Sequence, residues 1–199
     1  MAQQAFQPHL ADAASTIVVV IDLQERLLPL IHEGETAVRN SVRLMKMADI
    51  FGAPLILTEQ YPPGLGASAP EVKDAFAALK TAKHFITKDS FSCTLEPAFN
   101  DQVSEIAGRM NERPVNVVVA GIESHICVWQ TVIGLLEQGY SVRVCHDCVS
   151  SRDKSNKKWA LQSMLAMGAV VTSSESIAFE WARDKNHPQF RALNKLMKS

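Results

Sequence analysis

The residues of this chain best suited to chemistry are a thiol, a carboxyl group and an amine. The thiol, Cys127, lies in Val119-Ala-Gly-Ile-Glu-Ser-His-Ile-Cys-Val128, where an apolar run meets Gly121 and Ser124 stands as a candidate N-cap. That places Cys127 in the first turn of a helix, whose N-terminus stabilises a thiolate, the nucleophilic form. The same turn exposes backbone N–H groups able to stabilise an oxyanion when the thiolate attacks a carbonyl. On local sequence alone the competing reading of Cys127, a small apolar filler between helix and sheet, is the commoner use of free cysteine. Asp22 follows the apolar run Ile17–Ile21. Its carboxyl group sits at the edge of the core, where burial and a nearby cation pull its pKa in opposite directions, and it can serve as the base for a thiol. The competing reading makes it the N-cap of a helix over Leu23–Leu28. Lys88, within His84-Phe-Ile-Thr-Lys-Asp-Ser-Phe-Ser92, would hold an anionic substrate, pair with Asp22 or pass a proton to a leaving group; otherwise it is a solvated lysine.

Cys145-His-Asp-Cys148 has the spacing of a redox or zinc half-site, but no second pair of ligands follows, and it falls at the end of a strand rather than opening a helix. Asp147 is a candidate for the rim of the same crevice. Gly64-Leu-Gly66 is an isolated fragment, no Gly-Lys-Ser/Thr occurs, and Ser150-Ser151 and Ser173-Ser174 lack a Gly-x-Ser-x-Gly setting. Nucleotide binding and serine hydrolysis drop out.

The elements that must position these groups are legible as apolar runs rich in branched residues: Thr16–Ile21, Leu55–Thr58, His84–Thr87, Val115–Val119, Ser141–Cys145 and Ala169–Thr172. Near-continuous runs suit strands of a parallel sheet covered on both faces. Between them, Val38, Val42, Met45 and Ala48 mark one helix face, and Ile126, Gln130, Ile133 and Leu136 mark another. Gly52-Ala53-Pro54, Gly139 and Gly168 fall where helices should stop. The rhythm predicts a three-layer α/β/α domain, Rossmann-like, with a mostly parallel sheet of about six strands and right-handed crossovers. Glu59–Pro70 reads as one long irregular loop, because Pro62, Pro63, Gly64, Gly66 and Pro70 oppose regular structure. In such folds ligands bind at the carboxyl ends of the strands, which is where Asp22, Glu59, Lys88 and the Gly121–Cys127 segment fall.

With 199 residues, 47% hydrophobic and 21% charged, the chain reads as one globular domain spanning 1–199. Twenty Lys and Arg against 21 Asp and Glu give a formal net charge of −1, which argues against a general nucleic-acid surface. Met1–Ala14 lacks the pattern of a signal peptide, and the longest apolar run, Ile17–Ile21, is too short to span a bilayer. Four cysteines are too few for a disulfide scaffold, so a cytoplasmic protein with reduced thiols is expected.

Val-Val-Ile-Asp22-Leu-Gln, Lys88 ahead of Ser-Phe-Ser, and Ala-Gly-Ile-Glu-Ser-His-Ile-Cys127-Val together resemble the isochorismatase-like cysteine hydrolase superfamily. Leu57-Thr-Glu-Gln-Tyr-Pro-Pro-Gly-Leu-Gly66, Cys148-Val-Ser-Ser-Arg152 and His187-Pro-Gln-Phe190 look like its isochorismatase domain-containing subgroup. The resemblance implies a catalytic triad of Asp22, Lys88 and Cys127, a cis peptide bond from Ile122 to Glu123, and an oxyanion hole from the N–H groups of Glu123 and Cys127. It implies attack of Cys127 on an amide or carbamoyl carbon, with Asp22 moving the proton, through a thioester that water then hydrolyses. It further suggests a pocket shaped by Gln24, Glu59, Gln60, Tyr61 and Leu65. Nicotinamidases of this superfamily bind a metal through an Asp-x-His motif and a second His, whereas the matching positions here are Glu59-Gln60-Tyr61. No metal and no cofactor are therefore expected. The expected partner is a small-molecule substrate, within a homo-oligomer that the segment His187–Lys198 helps to form. A catalytically quiet scaffold of the same fold, and a redox protein using Cys145 and Cys148, are the competing hypotheses.

Overall fold

The computed structural model describes residues 10–111 and 114–198; the part of the signal-peptide expectation that falls on residues 1–9 lies outside them. Six strands form one sheet: β1 (Thr16–Ile21), β2 (Leu55–Gln60), β3 (Lys83–Lys88), β4 (Asn116–Ile122), β5 (Ser141–Ser150) and β6 (Val170–Thr172). Their order is β3-β2-β1-β4-β5-β6, and every pairing is parallel. The helices are α1 (Gly34–Phe51), α2 (Pro62–Leu65), α3 (Pro70–Ala78), α4 (Pro97–Gly108), α5 (Trp129–Glu137), α6 (Lys154–Ala166), α7 (Ser174–Ala182) and α8 (Phe190–Met197).

Alternation along β1 creates two cores. Val18 and Val20 join Leu44, Met45 and Trp181 under α1 and α7, while Ile17, Val19 and Ile21 join Phe99, Val132 and Met164 under α4, α5 and α6. This is the three-layer α/β/α arrangement. Leu193 of α8 is buried with the first core, so the C-terminal segment packs onto its own chain. No helix among the described residues is long and apolar enough to cross a membrane.

Strand order reverses between β1 and β4, and in open α/β sheets ligands bind at the carboxyl ends of the strands at such a point. Gly121 lets the two strands meet there. Its φ of +118° is one that side chains rarely adopt, and a Cβ at this position would collide with the backbone of Ile21.

Four local expectations are corrected. No helix starts at Asp22: its φ of 53° turns the chain, Gln24 bridges to Ser68, and a hydrogen-bonded turn from Gln24 leads into the short 3-10 turn Leu28–Leu30. Glu59–Pro70 is not irregular throughout, since Glu59 and Gln60 complete β2 and Pro62–Leu65 is helical. Proline is well placed there because its fixed φ suits a first helical turn. The strand carrying Cys145 does not end there. Val119 pairs with Val144 and Gly121 with Val149, so Cys145–Cys148 forms a bulge inside β5. Finally, the buried face of α5 is Val128, Thr131, Val132 and Leu135, whereas Ile126, Gln130, Ile133 and Leu136 are half-buried. The turn Ser124–Val128 is π-helical, and its wider winding shifts the phase of every residue after it.

Candidate active site

The three groups singled out in the sequence meet at the β1/β4 crevice. Asp22 leaves the end of β1, Lys88 closes β3, and Cys127 sits in the π-helical turn after β4; they are 1%, 3% and 8% exposed. The Lys88 ammonium reaches across β2 to Asp22 Oδ2 at 2.7 Å. Thr58 Oγ1 donates to Asp22 Oδ1 at 2.7 Å, and the same carboxylate acts electrostatically on the Cys127 thiol. Neither the N-cap reading of Asp22 nor the solvated reading of Lys88 holds in this arrangement.

Thr58 and Gln60 are two residues apart on β2 and so share a face, the first bound to Asp22 and the second to Lys88. The Lys88 Nζ donates to Gln60 Oε1 at 2.7 Å and to the carbonyls of Ser90 and Phe91 at 3.2 and 3.1 Å. Glu96 folds that loop by accepting from the N–H groups of Asp89 and Ser90. Glu59, on the opposite face of β2, accepts from Ser68 N–H at 2.6 Å. Sequence reasoning missed Thr58; the period-two alternation of a strand ending beside Asp22 was the signal that could have found it.

Burial pushes the Asp22 pKa up and outweighs the downward pull of Lys88, Thr58 and Cys127. Burial works against the Lys88 ammonium, but the charges of Asp22, Cys93 and Cys127 overcome it and hold its pKa above the ordinary lysine value. Burial first, then the Asp22 charge, push the Cys127 thiol up to about 12 against the pull of Lys88. The expectation of a thiolate stabilised by the helix start is therefore corrected. The thiol rests protonated, beside a carboxylate placed to take its proton. Cys93, which accompanies the cluster, is raised to about 12 by the same burial and the same carboxylate.

The Ile122–Glu123 peptide bond is cis. Glu123 carries the turn on two further ties: its carboxylate accepts from Arg152 N–H at 2.9 Å and from Arg152 Nε at 3.1 Å. Its carbonyl accepts from the N–H groups of Ile126 and Val128. Ser124 is not a cap by its side chain, whose Oγ is buried without a partner. His125 Nδ1 lies 3.0 Å from Ser151 Oγ.

The residues expected to shape a pocket divide. Tyr61 is exposed and Leu65 half-buried, whereas Gln24, Glu59 and Gln60 are buried with their side chains committed to the protein. With Glu59 bound to Ser68 and Gln60 to Lys88 and Asp89, and no histidine among the three, Glu59-Gln60-Tyr61 does not fit a metal. Ligand atoms of Cys145, Asp147 and Cys148 lie within 4.8 Å of one another. The Asp147 carboxylate accepts from both the N–H and the hydroxyl of Ser174, at 2.8 and 2.6 Å, at the start of α7. Both thiols are buried in the core.

A model of the isochorismatase domain matches residues 16–176. Isochorismatase domain-containing protein 1 of Salmo salar is 34% identical over 186 residues, covering 94% of this chain; the chain spans 62% of that relative's length. Isochorismatase domain-containing protein 2 of Danio rerio is 33% identical over 182 residues, covering 92% of this chain and 86% of that protein. A solved structure described as MAR1 ribonuclease from Caenorhabditis elegans superposes with a TM-score of 0.85 at 32% identity, over 96% of this chain and 93% of that one. A family model spanning most of the chain, two relatives at this level and a shared fold lead to one conclusion: the chain belongs to the isochorismatase-domain family.

Proposed function

We propose that this chain, as one unit over residues 1–199, is a metal-independent cysteine hydrolase of small amides or carbamoyl compounds, with Asp22, Lys88 and Cys127 as its catalytic residues. The observation that carries the reading is a buried carboxylate paired with a buried ammonium at 2.7 Å, with the buried Cys127 thiol within reach of its charge. A scaffold without chemistry has no need to bury that charge.

The raised Cys127 thiol makes a base necessary. Asp22 takes the Sγ proton as the thiolate adds to the carbonyl carbon, and Lys88 compensates the negative charge as it moves between carboxylate and sulfur. The N–H groups of Glu123 and Cys127 receive the oxyanion. As the C–N bond breaks, Asp22 returns the proton to the leaving amine, leaving a Cys127 thioester. Asp22 then takes a proton from water, hydroxide adds to the thioester, and the proton returns to Sγ as the acid leaves. The site is read as part of a homo-oligomer, and its free thiols suit a cytoplasmic setting.

The test is a panel of primary amides and N-carbamoyl compounds assayed for released ammonia or amine, with an RNA substrate in parallel because a structural relative is described as a ribonuclease. Turnover that survives a chelator and disappears in Cys127→Ser supports the reading. Turnover retained in Cys127→Ser overturns it. Cysteine-dependent cleavage of RNA alone would move the activity to that substrate, and inertness on the whole panel favours the quiet scaffold.

A further inference from the structure

A lysine ammonium has three protons and no acceptor capacity, so burying it requires oxygen atoms on every side. Lys88, whose side chain is 0% exposed, meets four: Asp22 Oδ2 and Gln60 Oε1 at 2.7 Å, and the carbonyls of Ser90 and Phe91 at 3.2 and 3.1 Å. Only one of the four is anionic. The shorter of the neutral contacts comes from Gln60, a residue the sequence offered for the substrate pocket.

Gln60 is 7% exposed and fixed at every polar atom. Its Nε2 donates to the Asp89 carbonyl at 2.7 Å, which leaves Oε1 facing the ammonium, the orientation the ammonium also demands because it can only donate. Its backbone is gripped by one side chain: Gln60 N–H donates to Gln24 Oε1 at 2.8 Å, and Gln24 Nε2 donates to the Gln60 carbonyl at 2.9 Å and to that of Gly66 at 2.6 Å. The Gln24 amide thus occupies the place of a further strand at the end of β2, and the chain turns away immediately afterwards at Tyr61, φ 37°.

We propose that Gln60 is a positioning residue for the Lys88 cation: its side-chain carbonyl holds the ammonium against Asp22 without cancelling its charge, so that the full charge acts on Asp22 and Cys127. A carboxylate at this position would share the cation; an apolar side chain would remove its shortest neutral contact, leave it to Asp22 and the longer Ser90 and Phe91 carbonyl contacts, and let it move. The other titratable groups around Lys88 are Asp22, the Cys93 and Cys127 thiols, and Glu96 under the Ser90 loop. The inference rests on the reading of Asp22, Lys88 and Cys127 as a catalytic unit.

The test uses the pH dependence of Cys127 alkylation by iodoacetamide, followed by intact-protein mass, which needs no substrate. Gln60→Glu is expected to move the rate–pH curve about one unit to higher pH, or about tenfold slower labelling at a fixed pH below it. Gln60→Met, which keeps the volume and adds no charge, is expected to slow labelling about threefold, corresponding to half a unit. On a substrate found as above, both lower kcat and leave KM within about twofold, as loss of transition-state stabilisation alone requires. If Gln60 is merely structural, both variants lower the thermal midpoint while their curves superpose on that of the native chain, and the proposal is overturned. Lys88→Met separates the two failures. A curve shifted by Lys88→Met but not by Gln60→Glu sinks the role of Gln60 alone, whereas a curve indifferent to both sinks the catalytic unit beneath it. Should Gln60→Glu not fold, Gln60→Met carries the decision.

Discussion

Replacing Lys88 by Met removes the cation and keeps a side chain of similar length. Coulomb's law at an effective dielectric constant of about 20 and the observed 2.7 Å separation gives the ion pair about 6 kcal/mol. Without the cation, the burial that already raises the Asp22 carboxyl loses its strongest counterweight, and the pKa rises further. Asp22 in Lys88→Met therefore keeps its proton to higher pH than in the native chain, and the variant's stability acquires an added pH dependence. A carboxyl whose folded pKa lies above its unfolded value binds its proton more tightly when folded. Its contribution is complete below the unfolded pKa, near 4, and is lost as pH rises toward the folded one. The limiting slope is about 1.4 kcal/mol per unit, so the variant should lose about that much relative to the native chain for each pH unit in which Asp22 is ionised in the native chain and still protonated in the variant. For a domain of this size that is a relative fall of about 3–6 °C per pH unit in the midpoint of thermal unfolding. Circular dichroism melts of both chains at pH 5, 6, 7 and 8 measure it directly. Curves of midpoint against pH that run parallel for the two chains would refute the claim that Lys88 keeps Asp22 ionised.

Thr58→Val removes the hydroxyl that donates to Asp22 Oδ1 while keeping the shape. A hydrogen bond to a charged group contributes about 1.5–3 kcal/mol, so kcat/KM should fall by about tenfold to a hundredfold and its acid limb should move to higher pH. In the native chain that acid limb is expected above the usual carboxylate range, because activity is lost as pH falls through the raised Asp22 pKa; a limb near pH 4 would assign the base elsewhere. The alkaline side should stay flat through the ordinary lysine range, since Lys88 is held above it. Gly121→Ala places a Cβ against the backbone of Ile21 at an unfavourable φ, so it should destabilise by about 3 kcal/mol or more in urea unfolding, and a loss under 1 kcal/mol would contradict the close approach of β1 and β4.

The parallel sheet was legible because strands covered on both faces leave unbroken runs such as Ile17–Ile21 and Val117–Val119, and the rule for strand ends then pointed to Asp22, Lys88 and Cys127. What stayed hidden depends on pairs distant in the chain or on burial. Gln24 lies in a stretch that reads as helical, and nothing local announces that its amide grips Gln60, 36 residues on. The true face of α5 was lost because a π-helical turn does not show in a spacing counted at 3.6 residues. The thiol was misjudged for a different reason. A helix start lowers a pKa only within the first turn and by a modest amount, whereas burial beside Asp22 carries the Cys127 thiol to about 12, and burial is a property of the packed molecule.

The most direct measurement is the rate and site of iodoacetamide labelling, by intact-protein mass and peptide mapping, for the native chain, Asp22→Asn and Cys127→Ser at pH 8. A carboxylate-coupled nucleophile predicts one adduct, located at Cys127, absent in Cys127→Ser and formed at a rate at least about threefold different in Asp22→Asn, which removes both the base and the charge that raises the thiol. Labelling spread over Cys93, Cys145 and Cys148, or a Cys127 rate indifferent to Asp22→Asn, would contradict the account.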